Sequence, residues 1–135
     1  MRIVLIDDAP VGRELFARIA RRAGHDVAIR DSFDIERLVR DVVASSPDLV
    51  VVDGRFADRL GVGVAEPRCA ALVARLRDAI PDASIAIVAA FDERGLGANA
   101  AALGVRYRIA RPYVASYLRS TLSTIASERG GASEA

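Results

Sequence analysis

Short, unbroken aliphatic runs recur along this chain and alternate with stretches of helical periodicity. Ile3-Val4-Leu5-Ile6, Leu49-Val50-Val51-Val52 and Ile85-Ala86-Ile87-Val88 are continuous apolar runs. That is the pattern of parallel strands covered on both faces. Residues 25–30 (HDVAIR) and 104–110 (GVRYRIA) predict two further strands. The second of these alternates, with Val105, Tyr107 and Ile109 on one side and Arg106 and Arg108 on the other. Such alternation marks an edge strand. The predicted strands lie near 2–7, 26–30, 48–53, 84–89 and 105–110.

Helical spacing fills the intervals. Leu15, Ile19 and Ala23 fall four apart behind Pro10, a residue well suited to a first helical turn. Ile35, Leu38, Val42 and Val43 predict a second helix; Cys69, Leu72, Val73, Leu76 and Ile80 a third, stopped by Pro81. Residues 93–103 predict a weaker fourth, loosened by Gly95 and Gly97. Val114, Tyr117, Leu118, Leu122 and Ile125 predict a fifth. Five alternations of strand and helix predict an α/β fold, a (βα)5 doubly wound parallel sheet with helices on both faces. One domain spans 1–127, and the polar, Gly-containing segment 128–135 reads as a frayed tail. Residues 54–67 form a long Gly-bearing loop after the third strand, of a length that usually carries function.

Composition narrows the class. The 135 residues are 52 % hydrophobic and 27 % charged, with a mean hydropathy of +0.23, which excludes a disordered chain. No apolar run approaches the roughly 20 residues of a membrane span, and no signal-peptide pattern opens the sequence. A cytoplasmic domain is expected. The single cysteine, Cys69, reads as a small core residue and excludes an internal disulfide. Nineteen basic residues against 18 acidic ones leave a net charge of +1, so direct DNA binding is not expected. All the basic residues are arginine, which excludes lysine-based chemistry and leaves the planar guanidinium to hold any anion. His25, the one histidine, stands at a strand start, so no Ser-His-Asp set can be built around it.

In a doubly wound sheet, chemistry gathers at the C-terminal ends of the strands. That rule selects Asp7, Asp8, Asp53, Ala89 and Arg111. If the first and third strands are neighbours, three carboxylates converge and require a compensating cation, or else a pKa rises. Oxygen donors of this kind suit Mg²⁺, placing the metal on Asp7, Asp8 and Asp53. A carboxylate beside a metal is also a candidate phosphoryl acceptor. An acidic residue closing a strand can equally do no more than cap the next helix.

The segments RIVLIDDAP (residues 2–10) and PDLVVVDGR (47–55), with RRAGHDV (21–27) and the closing RPY (111–113), resemble the response-regulator receiver domain of the CheY-like type. The resemblance runs from residue 1 to about 127. It implies a flavodoxin-like sheet of strand order 2-1-3-4-5, a cis Arg111–Pro112 bond, Mg²⁺ at the acidic pair, a phosphoacyl group on Asp53, and a role in bacterial two-component signalling without enzymatic turnover. The implied partners are a sensor histidine kinase or phosphotransfer protein and a downstream protein on the face of the fourth helix, fifth strand and fifth helix. Homodimer formation is left open.

The sequence departs from the family pattern at the relay. Ala89 stands where the family has a Thr or Ser hydroxyl, Arg111 where it has lysine, and Arg108 at the aromatic switch position, beside Tyr107. One lost hydrogen bond to a charged group is worth roughly 1.5–3 kcal/mol, as large as a typical coupling energy between sites. The expectation is a phosphoacceptor whose usual switch is degenerate. The competing expectation is a pseudo-receiver that senses an anionic ligand, such as a cyclic dinucleotide, through Arg106 and Arg108.

Overall fold

The computed structural model describes residues 1–7, 9–32, 34–53, 65–90 and 104–134. Strands β1 (Arg2–Ile6), β2 (Asp26–Arg30), β3 (Leu49–Asp53), β4 (Ser84–Ala90) and β5 (Tyr107–Arg111) form one parallel sheet. Their order is β2-β1-β3-β4-β5. Helices α1 (Pro10–Arg22), α2 (Ile35–Ser45), α3 (Ala65–Ala79) and α4 (Ala115–Glu134) cover it on both faces. The fold class read from the sequence is the fold observed. The predicted helix at 93–103 lies outside the described residues, so α4 is the fifth helix of the sequence pattern.

The alternation within each buried strand divides the core in two. Val4 and Ile6, Val50 and Val52, and Ile85 and Ile87 point to the face of α2 and α3, where they meet Leu38, Val42, Leu72 and Leu76. Ile3 and Leu5, Leu49 and Val51, and Ala86 and Val88 point to the face of α1 and α4, meeting Phe16, Ile19, Leu118, Leu122 and Ile125. Both faces of β1, β3 and β4 are thus wrapped, which is why these three read as unbroken apolar runs. Strands β2 and β5 form the edges.

Three boundaries differ from expectation. Helix α3 begins at Ala65, with Pro67 in its first turn, rather than after a loop reaching 67. The first helical N–H groups have no partner within the helix, so a proline there costs nothing. Val105 precedes β5 and packs on the α2–α3 face, whereas Tyr107 and Ile109 pack on the other. Helix α4 runs through the predicted tail to Glu134. Its extension is anchored: the Tyr107 hydroxyl donates to Glu128, and Arg129 Nη1 donates to the Asp82 carbonyl at 2.9 Å and to Ser84 Oγ at 3.0 Å.

Candidate functional site

The parallel topology brings the ends of β1 and β3 side by side, with Ile6 aligned to Val52, so that Asp7 and Asp53 emerge at the same edge. Both carboxyl groups are only 3 % exposed. Asp7 is fixed by its own turn: its Oδ1 accepts the Ala9 amide at 2.8 Å, and its backbone N–H donates to the Arg30 carbonyl at 3.1 Å. Burial, first of all, pushes the Asp7 carboxyl up to about 6 from an ordinary 3.8; the Asp53 charge and a hydrogen bond between the two carboxyls add to this, and the Ala9 amide opposes it.

Arg111, the last residue of β5, reaches across and places Nη1 3.0 Å from Asp53 Oδ1. The Arg111–Pro112 bond that follows is cis, as the family resemblance implied. One guanidinium against two buried carboxylates leaves a net negative charge when both ionise, and the donors are hard oxygens. That set fits a small divalent cation that keeps part of its water shell. Among the described residues no three ligating side chains gather. Asp8, the third expected ligand, lies outside them.

Ala89 is fully buried beside Ala110 of β5, one residue beyond the Asp53–Val88 register pair, and its methyl group offers no hydroxyl. Arg106 and Arg108 are exposed. Arg106 is turned onto α4, with its Nη2 3.2 Å from Glu128 and its guanidinium over the Tyr107 ring at 5.5 Å. Among the described residues no helix is long and apolar enough to cross a membrane.

Sequence reasoning did not single out Tyr113. Its ring packs edge-on against Phe16, with centroids 5.5 Å apart, and its buried hydroxyl has no hydrogen-bond partner among the described residues. Burial raises its pKa, and the charges of Asp7 and Asp53 raise it further. The signal available was a phenol, rather than a plain phenyl ring, directly after the Arg-Pro turn.

With this geometry in view, the comparison with solved structures is decisive for architecture. The fold is that of a response-regulator receiver domain. NtrX from Brucella abortus, in a complex with ATP, superposes with a TM-score of 0.81 at 20 % identity, over 98 % of this chain and 28 % of that one. The chain therefore spans under a third of the NtrX chain's length. A response regulator from Thermotoga maritima gives 0.75 at 21 % identity, over 93 % of this chain and 97 % of that one. The CheY-like protein TadZ from Pseudomonas aeruginosa gives 0.72 at 18 %, over 93 % and 98 %. No protein-family model and no curated protein matches the sequence. Receiver architecture is thus carried here by a sequence far from those of its structural neighbours.

Proposed function

We propose that this receiver fold serves as a two-component response-regulator module that accepts a phosphoryl group on Asp53. The observation that supports the reading is the buried Asp7–Asp53 pair with Arg111 Nη1 3.0 Å from the acceptor. In the proposed transfer an Asp53 oxygen attacks the phosphorus of a phosphohistidine on a kinase or phosphotransfer protein. The O–P bond forms as the P–N bond breaks, and the electron pair leaves with the imidazole. Asp7, together with Asp8 and Asp53, would hold Mg²⁺, whose charge offsets the developing negative charge on the phosphoryl oxygens. Arg111, with its Nη1 on Asp53 Oδ1, neutralises the acceptor side. Ala89 gives the phosphoryl group no hydroxyl. Output therefore rests on protein contacts at β5 and α4 rather than on a Thr/Tyr relay.

The reading is tested by incubating the chain with Mg²⁺ and a small-molecule phosphodonor, then measuring intact mass. One phosphoryl increment is expected, absent when chelator replaces Mg²⁺ and absent in Asp53→Asn. No increment under conditions that label a conventional receiver refutes the reading. The alternative, a ligand sensor using Arg106 and Arg108, has less support: the Arg106 guanidinium already pairs with Glu128.

A further inference from the structure

The Tyr113 hydroxyl presents an unsolved hydrogen-bonding problem. The residue is 9 % exposed, and the hydroxyl, its one polar side-chain atom, is buried without a partner among the described residues. Leaving such a group unsatisfied is costly, so a phenol retained at a buried position points to a partner beyond the described protein groups. Phenylalanine would fill the same space against Phe16 without that cost.

The surroundings say where the partner belongs. Gly12, in the first turn of α1, lies between Tyr113 and the acidic pair. A Cβ added there would stand 3.7 Å from Asp7 Oδ2 and 3.9 Å from Tyr113 Cε2, the ring carbon next to the one that bears the hydroxyl. Glycine thus leaves a small opening, bordered on one side by a carboxylate oxygen and on the other by the hydroxyl-bearing end of the ring. A buried water needs two or more polar partners. Here a carboxylate oxygen borders the opening on one side, and the ring carbon next to the hydroxyl-bearing one borders it on the other.

We propose that the Tyr113 hydroxyl donates to a water held beside Asp7 Oδ2, and that this water belongs to the shell of a divalent cation at the Asp7–Asp53 pair. Tyr113 is then a positioning residue for the cation, acting through that water. The phenol would give the pocket a hydroxyl that the end of β4 lacks at Ala89. This inference rests on the cation-binding part of the proposed function and names a contact that reading does not require.

The chain has three tyrosines and no tryptophan, so its near-ultraviolet absorbance reports tyrosine surroundings directly. The experiment titrates MgCl₂ into the full chain, reading calorimetric heat and the tyrosine difference spectrum. Tyr113→Phe is compared with the exposed control Tyr117→Phe. Cation binding in the wild type is expected to give a tyrosine difference band, kept in Tyr117→Phe and lost in Tyr113→Phe. The Phe variant should bind Mg²⁺ about fivefold more weakly, the ratio that one net hydrogen bond of about 1 kcal/mol represents. Without cation it should melt at the same temperature as the wild type or higher, since the unpartnered hydroxyl is gone. A merely structural role would lower that temperature. Gly12→Ala, which fills the opening while favouring the helix, is expected to weaken Mg²⁺ binding in the same way. Unchanged affinity in Tyr113→Phe overturns the inference and leaves the cation site standing. No Mg²⁺ response in the wild type overturns both.

Discussion

Replacing Asp7 by asparagine tests the electrostatics of the pocket most directly. Asparagine preserves the shape of the protonated acid. Its Oδ1 accepts the Ala9 amide, and its Nδ2 donates toward Asp53 as the proton of a neutral Asp7 would. In the wild type the folded state raises the Asp7 pKa to about 6 from 3.8, chiefly by burial. A raised carboxyl pKa favours folding while the proton is bound. This contribution is fully present below about pH 4, is lost as the pH rises through 6, and is gone by pH 8. A difference of about two units at 1.36 kcal/mol each amounts to about 3 kcal/mol. In chelator, Asp7→Asn should therefore match the wild type near pH 4 and exceed it by up to about 3 kcal/mol at pH 8. For a domain of this size that is a Tm increase of about 10 °C. Urea melts followed by circular dichroism at pH 4.5, 6 and 8 measure it, and taking the difference between the two proteins cancels the other titrating groups. Mg²⁺ at ten times its Kd should stabilise the wild type by about 1.4 kcal/mol and the variant much less. A stability difference that does not change with pH, or a variant less stable than the wild type at pH 8, refutes the assignment.

Arg111→Ala should destabilise the chain by about 1–3 kcal/mol at pH 7.5, because it leaves the buried Asp53 without its 3.0 Å partner, whereas Arg111→Lys should retain part of that; urea melts separate the two. Arg129→Ala should cost about 1 kcal/mol and raise amide exchange in the last two turns of α4, since it removes the contacts to Asp82 and Ser84. Gly104→Ala should be destabilising by about 1 kcal/mol, because φ there is +73°, a backbone conformation that strains any L side chain. Calorimetric titration of cyclic dinucleotides should give no heat that depends on Arg106 or Arg108; binding abolished by Arg108→Ala and indifferent to Asp53→Asn would revive the sensor reading.

The sheet was legible because parallel strands buried on both faces cannot hide their composition: LVVV at 49–52 and IAIV at 85–88 admit little else. The site was legible wherever topology alone decides position, as it does for Asp7 and Asp53 at the ends of adjacent strands. What escaped depended on long side chains. Arg106 shares its strand parity with Arg108, yet a flexible guanidinium beside Glu128 obeys the nearest carboxylate rather than the pleat. Helix α4 continues past Ile125, its last fully buried residue among those described, because Glu128 and Arg129 are tied to Tyr107, Asp82 and Ser84, whereas Gly130 and Gly131 on their own suggest fraying. Tyr113 reads as one more core aromatic until the surroundings of its hydroxyl are known.

The wall that the sheet builds between its two apolar compartments has a thermodynamic corollary. Truncations on opposite sides, at Leu72 of α3 and Leu122 of α4, fall in separate clusters, so their penalties should simply sum to within about half a kcal/mol. Tyr113 breaks this modularity. It is packed in one compartment through Phe16, while the charges of Asp7 and Asp53 act on its phenol. Through that one residue, the order of the α1–α4 layer and the state of the pocket become a single, non-additive quantity.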